Sequence, residues 1–89
     1  MKLTLYLAND EEGAKIKEFL NANNLIFEEK ILNNESKQEL MKISRWGLYD
    51  KSMLKIVKSH SISFIIGFQE HSLNQLIEHI EKYKPKINQ

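Results

Sequence analysis

Hydrophobic and polar residues alternate along the first stretch of the chain, from Lys2 to Leu7. Successive side chains of a β-strand point to opposite faces, so a period of two is typical of a strand with one buried face. We expect the leucines at positions 3, 5 and 7 to face the core. The other face of this half-buried strand then carries Lys2, Thr4 and Tyr6.

The spacing of apolar residues next lengthens to the three and four residues of an amphipathic helix. Asn9 is the expected N-cap of this helix, with Glu12 as its capping-box partner three positions later. Asn23–Asn24 is expected to end the helix in a left-handed turn. The predicted buried stripe consists of Ile16, Phe19 and Leu20.

The remaining pattern predicts three further strands and two further helices. A strand is expected from Leu25 to Leu32, and "NNES" then stops it and caps a second helix. The expected stripe of that helix is Leu40, Met41 and Ile43. The apolar runs "MLKIV" and "ISFIIGF", joined by the polar "KSHS", predict an antiparallel hairpin closed by Gly67. The last helix has the clearest periodicity, with Ser72 and Gln75 as a capping box and a stripe of Leu73, Leu76, Ile77 and Ile80.

The predicted order of elements is therefore β-α-β-α-β-β-α. The first two strands are joined through a helix, which implies a parallel, right-handed crossover, whereas the terminal hairpin adds antiparallel strands. We expect an α/β fold in which helices cover both faces of a four-stranded mixed sheet. A single domain is predicted over residues 1–83, followed by a solvated tail over residues 84–89.

Charge and cysteine content narrow the classes of function. Thirteen basic and twelve acidic residues give a formal net charge of +1, so we expect no strong attraction to nucleic acid or to anionic membranes. The sequence contains no cysteine, which excludes disulfides, thiolate nucleophiles and zinc–thiolate sites within it. The first residues are too polar for a signal peptide, and "ISFIIGF" is far shorter than the ~20 residues of a membrane span. We expect a soluble, cytoplasmic protein.

The local text resembles the glutaredoxins and the thioredoxin fold. "KLTLYLAND…AKIKEFLNANNLIFEEKIL" is similar to the opening of that family, in which a strand ending in tyrosine precedes the active-site turn. "SFIIGFQEHSLNQLI" is similar to its later segment, with Gly67 and Phe68 at matching positions. The resemblance covers residues from Lys2 to Ile80, and it implies a glutaredoxin-type fold.

Both catalytic features of the family are absent at the matching positions. The reactive cysteine motif should fall at about Asp10 to Ala14, and the turn there is about one residue shorter than in the family. The cis-proline should fall near Ser52, and Met53 replaces it, so we expect a trans peptide bond there. The resemblance therefore implies a redox-inactive domain that is not an enzyme and holds no cofactor.

Two groups of candidate site residues follow from this resemblance. The vestigial active-site turn either caps the helix or presents an acidic recognition surface to a basic partner. Its residues are Asn9, Asp10, Glu11, Glu12 and Gly13. If any affinity for glutathione or another small anion is retained, the resemblance implies that its cleft is lined by Ser52, Met53, Gly67, Phe68 and Gln69.

The loop "RWGLYDKS" provides the third candidate site. Arg45, Trp46 and Tyr49 are residue types favoured at binding hot spots, although Trp46 would equally serve as core over the second helix. With these aromatics, a basic strip could bind single-stranded nucleic acid, an alternative that the near-neutral charge disfavours. The strip consists of Lys42, Arg45, Lys51, Lys55 and Lys58.

No metal site is expected from the three histidines. His71 and His79 are eight residues apart, whereas a pair on one helix needs a spacing of four, and His60 falls in the predicted hairpin turn. The sequence thus favours a non-catalytic module that binds another protein, with glutathione or a small anion as the alternative ligand and nucleic acid as the third.

Overall fold

The computed structural model describes residues 1–45 and 50–83 of the chain. Their elements are β1 (Lys2–Leu7), α1 (Glu11–Ala22), β2 (Glu28–Ile31), α2 (Asn34–Met41), β3 (Met53–Val57), β4 (Ile62–Ile66) and α3 (Glu70–Tyr83). This order agrees with the predicted β-α-β-α-β-β-α arrangement. Trp46 and Tyr49 of the predicted binding loop lie outside the described residues, as does the predicted tail at 84–89.

The four strands form one mixed sheet in the order β2-β1-β3-β4. β1 and β2 are parallel, whereas β3 is antiparallel to both β1 and β4. The sheet therefore confirms the predicted parallel pair and the predicted hairpin. Its edge strands, among the described residues, are β2 and β4.

The helices cover both faces of this sheet, as predicted. Leu3 and Leu5 of β1 belong to a core cluster with residues of α1 and α3, including Ile16 and Leu73. Side chains on the opposite face of the sheet form a second cluster with Leu40 of α2. Its buried members are Tyr6, Leu40 and Met53.

The prediction that β1 is half-buried is wrong, because β1 is an inner strand of the sheet. Thr4 and Tyr6, expected on a polar face, are each only 1% exposed. α2 packs over that face through Leu40, so both sides of β1 are covered.

β2 is shorter than predicted and is exposed along its whole length. The segment after α1 first turns through Asn24, whose φ is 56°, as expected of a left-handed helix end. The N–H of Leu25 still bonds to the carbonyl of Leu20 at the end of that helix. Pairing with β1 consequently begins only at Glu28, and Ile26 is 94% exposed instead of lying within a strand.

Two helix predictions also require correction. α2 ends at Met41, so Ile43 of the expected stripe lies beyond the helix. Only Leu40 of that stripe is buried, whereas Met41 and Ile43 are exposed. α3 begins at Glu70, two positions before Ser72, and the Ser72 hydroxyl donates to Gln69 Oε1 at 3.3 Å instead of forming a capping box with Gln75.

Candidate functional site

The first turn of α1 is capped by Asp10 and not by the predicted Asn9. Asp10 has extended backbone angles (φ −140°, ψ 165°), and its Oδ1 accepts a hydrogen bond from the Gly13 N–H at 2.9 Å. Asn9 is exposed one residue before the cap. The N–H of Asp10 bonds back to the carbonyl of Ala8 at 2.9 Å, so the chain turns tightly between β1 and the cap. Glu12 is not part of a capping box, and its carboxylate contacts another segment.

The Asp10 carboxylate also reaches Ser52, which lies 42 residues away at the start of β3. Oδ1 accepts from the Ser52 hydroxyl at 2.7 Å, and Oδ2 accepts from the Ser52 N–H at 3.1 Å. With the bond from Gly13, this one side chain accepts three hydrogen bonds. Charge-assisted bonds of this kind are stronger than neutral ones, so Asp10 fixes α1 to β3.

Ser52 is itself fully buried and joins three strand ends. Its Oγ accepts from the Ala8 N–H at 2.8 Å, just after β1. Its carbonyl accepts from the Gly67 N–H at 2.8 Å, just after β4. The backbone N–H, the carbonyl and the hydroxyl of Ser52 therefore all have partners within the chain.

The carboxylate of Glu12 lies against the segment that follows β4. Glu12 Oε1 accepts a hydrogen bond from the Phe68 N–H at 3.3 Å. A Cβ atom at Gly67 would lie 2.8 Å from the same oxygen, and Gly67 has a φ of +72°. Only glycine combines this backbone angle with this close approach at low cost.

Gly13 allows a second close approach, between α1 and the start of β3. A Cβ atom at this position would overlap the Ser52 hydroxyl and lie 2.8 Å from Leu7 Cδ2. Because both neighbours belong to the packed interior, a larger residue would separate the helix from the strand.

The electrostatics of Asp10 are consistent with a structural carboxylate. Partial burial raises the pKa of Asp10, but the hydrogen bonds from Ser52 and Gly13 and the nearby charge of Lys51 together outweigh it. The net effect is a pKa of Asp10 below the ordinary value of an aspartate. Asp10 is therefore ionised at neutral pH and stabilises the fold in that form.

Parts of two predicted site groups lie together in space, and we call this set of residues the acidic turn cluster. It consists of Asp10, Glu12, Gly13, Ser52, Gly67 and Phe68. The cluster joins three residues of the predicted turn to three of the predicted cleft.

The other members of the two predicted groups lie outside these contacts. Glu11 and Asn9 are exposed. Met53 is fully buried on the α2 side of the sheet, and the peptide bond before it is trans, as expected. Gln69 is exposed and donates through Nε2 to the Ile66 carbonyl at 2.7 Å.

The acidic turn cluster presents acceptors to donors inside the chain and leaves few polar groups for a ligand. The sequence indicated the separate parts of this cluster, but not that the carboxylates of Asp10 and Glu12 bind the backbone of the cleft. Ser52 had no sequence signal for its bridging role beyond its position in the resemblance.

The third predicted site is described only in part. Arg45 is exposed. Lys51, Lys55 and Lys58 follow β3 from before its first residue to beyond its last, and Lys55 Nζ lies 5.6 Å from the centre of the Tyr6 ring. These lysines are spread along the strand and do not gather at one place.

Residues 1–45 and 50–83 offer neither a metal site nor a membrane span. This part of the chain brings no three histidine or acidic side chains together in a way that could hold a metal ion. It likewise contains no helix with the length and hydrophobicity needed to cross a membrane.

The sheet order and the three helices define an α/β protein that is compatible with a thioredoxin-like fold. Comparisons with protein-family models, curated proteins and solved structures give no match.

Proposed function

We propose that the chain is a glutaredoxin-like domain of the thioredoxin fold that has no redox chemistry and acts as a non-catalytic protein-binding module. The proposal rests on the resemblance stated above and on the absence of cysteine from all 89 residues. Asp10 stands where the resemblance places the start of the reactive cysteine motif. Its carboxylate holds the helix to the sheet instead of presenting a nucleophile.

One observation carries this proposal: the cleft donors are already bound by carboxylates of the same chain. The Ser52 N–H donates to Asp10, and the Phe68 N–H donates to Glu12. By resemblance, the Ser52 N–H flanks the missing cis-proline and the Phe68 N–H belongs to the glycine–phenylalanine pair, and the family binds glutathione beside these two segments. A glutathione carboxylate would have to displace a fixed carboxylate and would meet like charge, so the geometry disfavours the small-anion alternative.

The same contacts support the first of the two interpretations of the acidic turn, that of a helix cap. Asp10 and Glu12 point at partners within the chain, which leaves Glu11 as the exposed carboxylate of the turn. A single exposed carboxylate is a weak recognition element. The turn therefore acts as a cap and a tertiary joint, and a protein partner docks on another surface.

The first experiment addresses the cleft. Reduced glutathione is titrated into the labelled chain while amide chemical shifts are recorded, and thiol–disulfide exchange is measured against a protein-free control. We expect flat titrations and no exchange above the control. Exchange above the control, or saturable shifts clustered at Ser52, Gly67 and Phe68, would overturn the proposal and favour the ligand-binding alternative.

A matched pair of variants makes the titration sharper. Glu12→Ala frees the Phe68 N–H, whereas Glu11→Ala removes an exposed carboxylate from the same turn. If Glu12 occupies a vestigial anion position, glutathione at high concentration should shift the Phe68 amide in Glu12→Ala and not in Glu11→Ala. Equal behaviour of the two variants would show that Glu12 does not block the cleft.

The second experiment addresses the protein partner. The chain is immobilised and exposed to native cell extract, with Trp46→Ala as the comparison because Trp46 is the predicted hot-spot residue of the binding loop. We expect a retained protein whose recovery falls in Trp46→Ala.

A gel shift with single-stranded nucleic acid at low salt tests the third alternative, and we expect no retardation.

A further inference from the structure

Among residues 1–45 and 50–83, only β3 pairs with the backbone of β4, so one side of that strand is unpaired. β4 lies at the edge of the sheet, next to β3. Two backbone bonds of 2.8 Å extend the ladder between these strands, from Lys58 N–H to the Ser61 carbonyl and from Gly67 N–H to the Ser52 carbonyl. Both bonds keep the register of the ladder, and hydrogen-bonded pairs alternate along an antiparallel ladder. Every second residue from Ser61 therefore directs its backbone groups at β3.

The other residues of β4 direct their backbone N–H and carbonyl groups away from β3. These residues are Ile62, Phe64 and Ile66. The Ile66 carbonyl accepts from the Gln69 side chain, which is the arrangement expected of an outward-facing group. The Ile62 side chain beside this edge is 47% exposed. Such an open row of backbone groups is a template for another strand.

Three features by which edge strands usually avoid such pairing are absent from Ile62–Ile66. Natural edges are protected by charged side chains, proline or a bulge. The residues Ile62–Ile66 read ISFII, with no charge and no proline, and they pair with β3 without a break in register. The opposite edge strand, β2, reads EEKI and is charged at three of its four positions.

We propose that β4 pairs with β4 of a second copy of this chain in an antiparallel, two-fold arrangement centred on Phe64. Phe64 then lies opposite Phe64 of the second copy, and each Ile62 lies opposite an Ile66. This register makes hydrogen-bonded pairs of the three residues whose backbone groups point outward, and the Gln69 side chain has to release the Ile66 carbonyl when the pairs form. The two four-stranded sheets become one continuous sheet of eight strands.

The side chains of this register are complementary. Phe64 and Ile66 pack on the α2 side of the sheet. Ile62 lies two residues before Phe64 in the same strand, so it is on the same face. Two-fold pairing places these six apolar side chains in one row across the interface, where cross-strand contacts stabilise a sheet. None of them is charged, so the symmetric pairing opposes no like charges within the strand.

The test is the mass of the chain in solution as a function of concentration. Sedimentation equilibrium should show a reversible change from one to two chains. Ile62→Lys introduces an edge charge at a partly exposed position, and we expect it to raise the dimer dissociation constant by about tenfold or more. Ile31→Lys is the matched control, because Ile31 is 73% exposed on the opposite edge strand, and it should leave that constant unchanged.

Amide hydrogen exchange of the unmodified chain gives an independent readout. Phe64 should become protected as the concentration rises, whereas Ser63 and Ile65 should be protected at every concentration because they bond to β3. A chain that remains monomeric up to about 1 mM would overturn the proposal. So would a dimer that Ile62→Lys leaves intact, or one that Ile31→Lys weakens equally. None of these outcomes depends on whether the cleft binds glutathione.

Discussion

The N-caps of α1 and α2 are an aspartate, Asp10, and an asparagine, Asn33, and their side chains make different contacts. Asn33 caps α2 through local bonds: its Oδ1 accepts from the Ser36 N–H at 3.0 Å, and its N–H donates to Ser36 Oγ at 2.9 Å. Asp10 caps α1 with one local bond and then binds Ser52, 42 residues away. The α2 start also contacts the sheet, through the bond from the Ser36 hydroxyl to the Ile31 carbonyl at 2.8 Å, but that contact spans only five residues. The α1 start is instead attached to a strand that is distant in the sequence.

The largest expected effect comes from removing the two caps in turn. Asp10→Ala removes the acceptor of the Gly13 N–H and of the Ser52 N–H, and it leaves the Ser52 hydroxyl with only its longer bond to the Ala8 carbonyl, at 3.3 Å. We expect this variant to lower the free energy of unfolding by about 3 kcal/mol. Asn33→Ala removes only a local cap and should cost about 1 kcal/mol. Urea denaturation of the two variants measures the difference.

Equal losses in these two variants would contradict the comparison. They would mean that the bonds between Asp10 and Ser52 add nothing to a simple helix cap. The double variant Asp10→Ala/Ser52→Ala is a useful control, because its loss should be smaller than the sum of the two single losses if the side chains act together.

A smaller loss is expected from Gly13→Ala. The added methyl group would overlap the Ser52 hydroxyl and press on Leu7, which should cost about 2 kcal/mol even though alanine favours helices. Ala14→Gly, at the next and exposed position of α1, is the matched control and should cost about 1 kcal/mol through helix propensity alone. A stabilised Gly13→Ala variant would show that α1 can move away from β3 freely.

The two helix starts should also differ in their dependence on pH. The pKa of Asp10 is lowered in the folded chain, so the ionised carboxylate stabilises the fold. That contribution is complete above the unfolded value of about 3.9 and is lost as the pH falls through the lower folded value. The stability gap between the natural chain and Asp10→Asn should therefore narrow on acidification from neutral pH to about pH 2.

Asn33→Ala supplies the reference for this measurement. It removes no ionisable group, so its gap from the natural chain should stay constant over the same pH range. Urea denaturation at several pH values gives both gaps. A gap for Asp10→Asn that is as constant as that for Asn33→Ala would mean that the Asp10 carboxylate is not stabilised by folding.

The comparison also shows which parts of the structure the sequence could predict. Local signals were sufficient for the order of elements, for the parallel first pair and for the hairpin. "NNES" likewise indicated the cap of α2, because its hydrogen bonds connect residues three positions apart. Interactions between residues this close in the sequence can be predicted from the local residue types alone.

The errors came from interactions that no short window contains. Asn9 and Asp10 are equally good caps by residue type, and only the contact with Ser52 distinguishes them. Tyr6 looked like a polar-face residue because nothing local reveals that β1 lies between two strands under α2. Glu12 fitted a capping box, and its contact with Phe68 depends on the loop after β4. The candidate site was therefore predicted as two groups of residues but not as one cluster.

The smallest expected effect concerns Glu12, the second carboxylate of the turn that binds a residue distant in the sequence. Its hydrogen bond from Phe68 is long, at 3.3 Å, so Glu12→Ala should lower the free energy of unfolding by only about 0.5 kcal/mol. The Phe68 amide should nevertheless exchange with solvent several times faster, because it loses its acceptor. Glu11→Ala, which changes an exposed carboxylate of the same turn, should leave that exchange rate unaltered. If both variants speed the exchange equally, the effect comes from the charge of the turn, and Glu12 then differs from Asp10 in having no specific attachment to the sheet.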